Sequence, residues 1–445
     1  MRDDGGYRRM IQRRARHAAV LAGWFAAATL VTGPAIRAQN PAGRLNPMDS
    51  IGRLPNYRAA YDTAPLLPES RIASLAPARR REWQSYLARS RAMFIRDTLM
   101  MRAELAAAHR TTMQRAPYAH DFSVTPAMTP GWFEGDSAQT LAHAILSFQA
   151  PDGGWSKHVD FSLGTRQPGE SYFAESDVWE WISTIDNDQT TEEMHFLALA
   201  DRTRHDVRYE SAFRRALVYL LDAQYPNGCW PQVYPLQGSY HDAVTFNDDA
   251  MINVMRILDE TARGNYGFVS GAERDRARSA SARGLECIRS AQVVVDGTPL
   301  AWAQQNDPLT LAPGPARSYE LTSIAGLESA HVADYLMSLA VPTPGTIRAV
   351  TAAVAWLRRV TLHDVTYDTA GGLRATPGSG PVWARMYEIG SNRPIFSNRN
   401  GIRLYDWNQL TDRRHGYGWY TYAPAATLKT YDVWMRDHPL PTVSQ

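Results

Sequence analysis

Apolar residues recur along this chain mainly at helical spacing, and convincing strand-like alternation is rare. The stretch 78–109 contains no Gly or Pro and predicts one long helix, whose apolar stripe would pack on the domain that follows. Apolar positions at i, i+3, i+4 and i+7 predict a helix over 178–185 and another over 251–258. The pattern therefore favours an all-α protein.

A repeated segment organises the middle of the chain. A predicted helix ending in Gln, a turn containing Gly and a Trp occur in QAPDGGW (149–155), QYPNGCW (224–230) and QVVVDGTPLAW (292–302). ARSYEL (316–321) recurs as ARMYEI (384–389), and spacings near 70 residues accommodate two helices with their connections. Such hairpins cannot bury their apolar stripes alone. Three or four of them predict a closed or partial α/α toroid with a central groove.

The two ends of the chain indicate the domain boundaries. Residues 1–38 combine an arginine-rich start with a short apolar run, which predicts a signal peptide, although an uncleaved membrane anchor stays open. Residues 39–114 are interpreted as an N-terminal linker followed by the long helix, and 115–440 as the catalytic toroid. Cys229 and Cys287 allow at most one disulfide, and whether they pair is left open.

Charge composition narrows the possible partners. The 47 basic and 45 acidic residues nearly cancel, so no broad positive field favours nucleic acid as a partner. Specificity for a polyanion must then come from local clusters. We expect an exported, soluble and monomeric protein with no membrane contact after signal cleavage.

Two short oxygen-rich segments are candidates for cation binding. In TIDNDQTTEEM (184–194), three oxygen-bearing side chains follow a predicted helix, and Thr190 with Glu193 predicts a capping box. In TFNDDAMINVM (245–255), three more stand at a predicted helix start. Turn and capping chemistry explains either segment alone. Two such corners on adjacent hairpins indicate a hard cation such as Ca²⁺. Their residues are Asp186, Asn187, Asp188, Asn247, Asp248 and Asp249.

Cationic side chains on connecting segments form a third group. Each could be an ordinary surface charge. They lie among Gly, Pro and aromatic residues in predicted loops, where functional groups concentrate, and Arg suits bidentate capture of a carboxylate. The group comprises Lys157, Arg317, Arg385, Arg393 and Arg399.

These segments together resemble the pectate lyases of polysaccharide lyase family 10. The resemblance spans about residues 140–425 and rests on DGGWSK, TIDND, NGCWPQVYP, TFNDDAMINV, ARSYEL, WARMYEIGSNRPIFSNR and RRHGYGWY, in family order. It implies a partial toroid and a calcium cofactor. Cys229 stands where the family usually has a second Gly.

The resemblance also implies roles for individual residues. Arg317 matches the proposed catalytic base, and Asp248 matches a calcium-binding aspartate. Asp186 and Asn187 match the acidic pair beside it, so both are candidate calcium ligands. Asp186 is also a candidate catalytic residue and Asn187 a candidate substrate contact. The other candidates for binding substrate are Lys157, Arg385, Arg399, Trp155 and Tyr319.

The implied activity is β-elimination on polygalacturonate with an alkaline optimum, in which a crowded cationic site lowers the pKa of the arginine base. A glycoside hydrolase using two of Asp186, Asp249, Glu320 and Glu388 is an alternative. A non-catalytic pectin-binding protein is another. A terpene cyclase fails, because Thr245, Phe246 and Asn247 precede Asp248 where its acid motif needs another Asp.

Overall fold

A computed structural model describes residues 66–120, 122–175, 180–368 and 372–439. The predicted signal peptide and the first part of the predicted linker lie outside these residues. Eleven helices dominate the described part of the chain. They are α1 (Glu69–Ala73), α2 (Pro77–Ala107), α3 (Pro130–Phe133), α4 (Asp136–Ser147), α5 (Thr191–Thr203), α6 (Val207–Ala223), α7 (Ala250–Ala262), α8 (Gly271–Ser290), α9 (Gly326–Met337), α10 (Pro344–Arg359) and α11 (Pro424–Asp437).

The long helix predicted over 78–109 is confirmed as α2, with a proline at its first turn. One side of α2 is buried, because Trp83 and Tyr86 pack against Tyr225 with ring centroids 5.1 and 5.0 Å apart. The Tyr86 hydroxyl also donates to the carbonyl of Ala223, at the end of α6, at 3.0 Å. Helix α2 thus packs against the helices that follow it in the chain.

The middle of the chain consists of helix pairs that pack side by side. Helix α5 packs on α6, α7 on α8, and α9 on α10. The first helix of each pair also contacts the first of the next pair, and α4, α6, α8 and α10 contact one another in sequence. Helices α5 and α7 are buried around most of their circumference, whereas α6, α8 and α10 expose one side. The helices therefore form an inner and an outer row.

Within the described residues, the strands form short antiparallel pairs that fix the connections between helices. The antiparallel pairs are β1 (Ser183–Thr184) with β2 (Val233–Tyr234), β3 (Val244–Thr245) with β6 (Gln305–Asn306), β4 (Val294–Val295) with β5 (Thr298–Pro299), β7 (Ile324–Ala325) with β11 (Met386–Tyr387), β8 (Val365–Asp368) with β9 (Gly372–Ala375), β10 (Trp383–Ala384) with β14 (Tyr420–Thr421), and β12 (Phe396–Ser397) with β13 (Arg403–Leu404). Strands β1, β3 and β7 each come shortly before an inner helix.

The helix predicted over 178–185 is wrong in its described part. Residues 180–181 form a turn and 183–184 form β1, while 178–179 lie outside the described residues. The Ser183 amide and hydroxyl both donate to the buried carboxylate of Asp152, and the Thr184 hydroxyl donates to the carbonyl of Gln232. Tertiary hydrogen bonds thus override a helical spacing of apolar residues. The helix predicted over 251–258 is confirmed within α7.

The Gln–Gly–Trp segments make the same hydrogen bonds at three places. The side-chain amide of Gln149 donates to Gly153 and to Ala212 on the next outer helix, at 2.6 and 2.8 Å. Trp155 donates to Ile145 of the preceding helix at 2.7 Å. Gln224 with Trp230 repeats the pattern, and Gln292 with Trp302 does so with the carbonyl of Leu300 in place of the glycine carbonyl. The glutamine ties adjacent outer helices together, and the tryptophan closes its own helix.

Cys229 and Cys287 form a disulfide with their Cα atoms 5.4 Å apart, which joins the second of these turns to α8. Gly228, just before Cys229, has φ +91° and lies against the backbone of Arg283. The cysteine itself keeps a negative φ, so the turn retains its geometry with this side chain in place.

Candidate active site

The two oxygen-rich corners are short turns immediately before inner helices α5 and α7, and they contact each other. Asn187 and Asp188 have φ values of 52° and 63°, and Asp248 and Asp249 have 48° and 59°. Asn and Asp tolerate this left-handed conformation better than most residues. The corners thus share one backbone geometry, with their polar side chains on neighbouring loops.

The predicted capping box at Thr190 and Glu193 is wrong. The Thr190 side chain does not cap the helix; its hydroxyl donates to the carbonyl of Thr184 at 2.8 Å and accepts from the Trp155 amide at 3.0 Å. These bonds tie the first corner to the DGGW turn. Glu193 is instead fully buried, and burial raises its pKa to about 8.

Lys157 pairs with the first corner. Its Nζ lies 2.7 Å from Asp186 Oδ2 and 3.3 Å from Asn187 Oδ1. Burial opposes ionisation of Asp186, but Lys157 outweighs it and lowers the pKa of Asp186 to about 2. Burial likewise opposes the charge on Lys157, while Asp186 and Glu175 raise the pKa of the ammonium group. Both groups are therefore charged at neutral pH.

Arg385 joins the second corner to helix α9. Its Nη2 donates to Asn247 Oδ1 and Glu328 Oε1 at 3.0 Å, and to Asp248 Oδ1 at 3.2 Å. Burial opposes this charge, yet Tyr417, Glu328 and Asp248 hold the pKa of Arg385 well above its usual value. Burial, together with Asp186 and Glu328, raises the pKa of Asp248, although Arg385 works in the other direction.

Arg317 lies in the same electrostatic environment and forms an ion pair. Its Nη2 and Nε donate to the two oxygens of Glu320 at 2.5 and 2.8 Å. Burial would lower the pKa of Arg317, but Glu320 raises it well above the ordinary value. We expected neighbouring cations to lower the pKa of Arg317. The structure shows the opposite, because the carboxylate of Glu320 pairs with the guanidinium group. The charge of Arg317 lowers the pKa values of both Lys157 and Asp186, so the three groups lie near one another.

Two tyrosines separate the guanidinium groups of this region. Tyr319 lies under Arg317 and Arg413, with the guanidinium carbons 5.1 and 4.4 Å from its ring centroid. Tyr417 contacts Tyr319 edge-on and lies 4.7 Å from Arg385. Tyr319 is 3% exposed and its ring faces two guanidinium groups, which leaves almost none of the ring accessible to a sugar.

Two other predicted substrate contacts differ in position. Trp155 is 0% exposed, and its ring is held by α4, so the prediction that it contacts substrate is wrong. Arg399 lies at the tip of the β12–β13 hairpin, where its Nη1 donates to the carbonyl of Asp412 at 3.1 Å. Burial lowers the pKa of Arg413, and the charges of Arg317 and Arg399 lower it further although Tyr319 raises it, so Arg399 lies at the edge of the same cationic region.

Sequence reasoning missed several residues of this region. Glu328 is a single acidic residue at the start of α9, and no local pattern marks it. Arg413 and Tyr417 lie in RRHGYGWY, a segment used only for the resemblance. His241 is also close: burial, Lys157 and Arg317 lower its pKa to about 3, which keeps the imidazole neutral. Only the tertiary fold brings these residues to the corners.

The chemistry of the corners fits a hard divalent cation. Asp186 Oδ1 and Glu328 Oε2 are buried carboxylate oxygens with no hydrogen bond of normal geometry among the described residues. Like charges also oppose ionisation of Asp248, a repulsion that a cation would relieve. Carboxylate and amide oxygens are the ligands that Ca²⁺ prefers. Asp186, Asn187 and Asp248 thus provide a suitable donor set.

A second acidic group lies far from these corners. Asp201, His205 and Glu210 bring three possible ligand atoms within 4.8 Å, between α5 and α6. Asp201 is at the end of α5 opposite to Asp186, and a helix of this length separates them by about 20 Å. This group is therefore distinct from the candidate site.

Comparison with known proteins identifies the family. The family model described as pectic acid lyase matches residues 149–428, more than half of the chain. The chain belongs to the pectate lyases of polysaccharide lyase family 10. A solved structure of a family 10 polysaccharide lyase from Cellvibrio cellulosa shares 32% identity and a TM-score of 0.61, over 70% of this chain and 98% of that one. The search of curated proteins gave no match.

A second solved structure shows a ligand. A mutant of the Cellvibrio cellulosa family 10 lyase, in complex with trigalacturonic acid, is again 32% identical with a TM-score of 0.61, over 70% of this chain and 99% of that one. The resemblance found in the sequence is thus confirmed, and this lyase is an enzyme acting on pectate. In the described part of the lyase, no helix is both long and apolar enough to cross a membrane.

The carboxylates nominated for a hydrolase are unsuited to that role in this lyase. A hydrolase needs a carboxylic acid with a raised pKa to protonate its leaving group. Although burial opposes ionisation of Glu320, Arg317 lowers its pKa, and hydrogen bonds from Ser391 and Tyr405 lower that of Glu388. Asp249 pairs with His331 at 2.7 Å. The family assignment and these ion pairs both favour a lyase over a hydrolase.

Proposed function

We propose that this pectate lyase cleaves polygalacturonate by calcium-assisted anti β-elimination and releases 4,5-unsaturated oligogalacturonides. The supporting observation is the meeting of two acidic corners with Lys157, Arg317 and Arg385, all of which interact with Asp186 or Asp248. A polyanionic substrate and a divalent cation are what such mixed charges would bind. Trigalacturonic acid in the related lyase supports the same substrate class.

The proposed architecture is a partial α/α toroid. The inner row α5, α7, α9 and the outer row α4, α6, α8, α10 are the arrangement expected when helix hairpins follow one another around an axis. Both acidic corners precede inner helices, and β7 leads into the third. The loops at that end would line the central groove.

The cationic residues have defined tasks in this proposal. Lys157 and Arg385 would bind uronate carboxylates, and both already neutralise the carboxylates of the corners. Asp186, Asn187 and Asp248 would hold the calcium ion, which supplies positive charge to stabilise the enolate that develops at the substrate carboxylate. Arg399, at the hairpin tip, would contact a uronate at the edge of the groove.

Arg317 is the proposed base. It would accept the C5 proton of a galacturonate; the C4–O bond then breaks, its electrons leave with the oxygen, and the C5–H electrons form the C4=C5 double bond. Because Glu320 keeps Arg317 protonated in this structure, this step requires the ion pair to open and favours alkaline pH. Glu320 therefore controls when the base is available.

The test is an assay on polygalacturonate at alkaline pH, following the ultraviolet absorbance of the unsaturated product. We expect activity with added Ca²⁺, its loss with a chelator, and a fall of at least about a hundredfold in Arg317→Ala and Arg317→Lys. Arg358→Ala is the matched control, because Arg358 on α10 forms an exposed ion pair with Asp432 on α11. Full turnover in Arg317→Ala would remove the base assignment.

The remaining proposals concern the state of the protein. We infer that the chain is exported by an N-terminal signal peptide, secreted or periplasmic, and acts as a monomer without nucleic acid or membrane partners. The near balance of charges supports the absence of nucleic acid. Recovery of the protein outside the cytoplasm would test export, and sedimentation of the recovered protein would test its oligomeric state.

A further inference from the structure

An N-terminal helix contacts a loop that leads into the candidate site. Helix α1 precedes the region matched by the family, which begins at Gln149. Its Arg71 donates through Nη1 and Nη2 to Asp307 Oδ2 and Oδ1, at 2.8 and 2.9 Å. The hydrogen bond to Asp307 raises the pKa of Arg71, although burial opposes it. This bidentate geometry is the strong form of an Arg–carboxylate pair.

The carboxylate of Asp307 also organises its own loop. Asp307 Oδ1 accepts from the amides of Leu309 and Thr310 at 3.0 and 2.9 Å, and from the Thr310 hydroxyl at 3.0 Å. The Asp307 amide donates to the carbonyl of Ala312 at 2.8 Å, which closes the loop across its base. Arg71 thus holds the residue on which the conformation of loop 307–312 depends.

Both ends of this loop lead to residues of the proposed site. Strand β6, just before Asp307, pairs with β3, and β3 precedes the second acidic corner. At the other end of the loop, Gly314 lies three residues before Arg317. Its amide donates to the carbonyl of Gln305 at 2.9 Å. A shift of Asp307 would therefore be passed to Arg317 through a short, hydrogen-bonded segment.

Helix α1 has a firm support of its own. It is followed at once by α2, whose Ser90 hydroxyl accepts from the Leu236 amide at 2.9 Å and whose Tyr86 bonds to Ala223. The loop that begins at Leu236 carries His241, whose pKa is lowered by burial and by the charges of Lys157 and Arg317. Each of the two N-terminal helices therefore contacts a loop that leads to residues of the site.

We propose that Arg71 is a positioning residue: through Asp307 it fixes the loop that sets the place of Arg317. This inference rests on the proposed role of Arg317. It assigns a part in turnover to a segment outside the family match.

The test is steady-state kinetics on polygalacturonate, well below the unfolding temperature of each variant. Small displacements of a catalytic group lower the rate strongly. We expect kcat of Arg71→Ala to fall about tenfold with KM within about twofold, and Asp307→Asn to do the same. Arg71→Lys, which keeps the charge but loses the bidentate geometry, should recover part of the loss.

Arg91→Ala is the matched control, because Arg91 is an exposed residue of α2 whose pairing with Glu69 spans 3.9 Å. Its kcat should equal that of the wild type. An Arg71→Ala kcat equal to that of Arg91→Ala would overturn the inference, as would a loss that disappears after correction for the folded fraction. Retained turnover in Arg317→Ala would instead reject the proposed base, so the two failures are distinguishable.

Discussion

At the scale of single residues, the carboxylates Asp186, Asp248 and Glu328 of the site have cationic partners. Lys157 lowers the pKa of Asp186 to about 2, and Arg385 contacts both Asp248 and Glu328. Removing one member of such a buried pair leaves the other charge uncompensated, which costs more than the pair itself contributes. The pairs therefore affect stability as well as substrate binding.

Lys157→Met tests the first pair. The depressed pKa of Asp186 gives stability that is present above its ordinary value near 3.8 and is lost as pH falls toward 2. At pH 7 we expect the variant to lose on the order of 2 kcal/mol in the free energy of unfolding, and its stability to depend less on pH between 4 and 2. Urea unfolding at several pH values measures this.

The same variant should raise KM for polygalacturonate about tenfold, because it loses a cation proposed to bind the substrate carboxylate. Lys429→Met is the control, since Lys429 is the other lysine of the chain and is exposed on α11. Equal KM values and equal acid unfolding in the two variants would contradict the role of Lys157.

At the scale of elements, the turns after the outer helices determine the spacing of the rows. Gly153 has φ +104°, and a Cβ added there would approach the carbonyl oxygen of Arg215 to 2.8 Å. Gly228 occupies the corresponding place against Arg283. The glutamine and tryptophan of each turn then bond to two different outer helices. Close backbone approach is thus a requirement of this packing.

Gly228→Ala is expected to destabilise the protein by about 3 kcal/mol or more, because strain at positive φ adds to overlap with the Arg283 backbone. Gly297→Ala is the control: it also has positive φ, +75°, but no atom lies within 4 Å of the added Cβ. Thermal unfolding of both variants separates the cost of positive φ from the cost of overlap with the Arg283 backbone. Equal losses would show that backbone approach at Gly228 is unimportant.

At the scale of the whole molecule, one buried carboxyl group should make the protein less stable at the alkaline pH where we propose that it is most active. Glu193 on the inner helix α5 is 0% exposed, and burial raises its pKa to about 8. A raised carboxyl pKa gives stability at low pH that is lost as pH rises from about 4.5 through 8. The fold should therefore become less stable in the pH range where the proposed base works best.

Glu193→Gln should remove this dependence. We expect the variant to match the wild type near pH 5 and to be more stable by about 1 kcal/mol or more at pH 9, because no buried charge forms. Unfolding temperatures across this pH range measure the effect. A variant less stable than the wild type at pH 9 would mean that the ionised Glu193 is well solvated or paired.

The sequence could predict elements whose causes are local. Helix α2 follows from a long run without Gly or Pro, and the two corners follow from clustered Asp and Asn. The helix over 178–185 failed because Ser183 and Thr184 bond to distant Asp152 and Gln232. The pairing of Arg317 with Glu320 also depends on geometry, since a spacing of three residues in a loop does not specify contact.

A crystal structure of Arg317→Ala with Ca²⁺ and trigalacturonate would test the central claim most directly. The account predicts one uronate whose carboxylate contacts both the ion, held by Asp186 and Asp248, and the side chain of Lys157 or Arg385. An oligosaccharide bound away from the two corners, or calcium bound only at other residues, would contradict it.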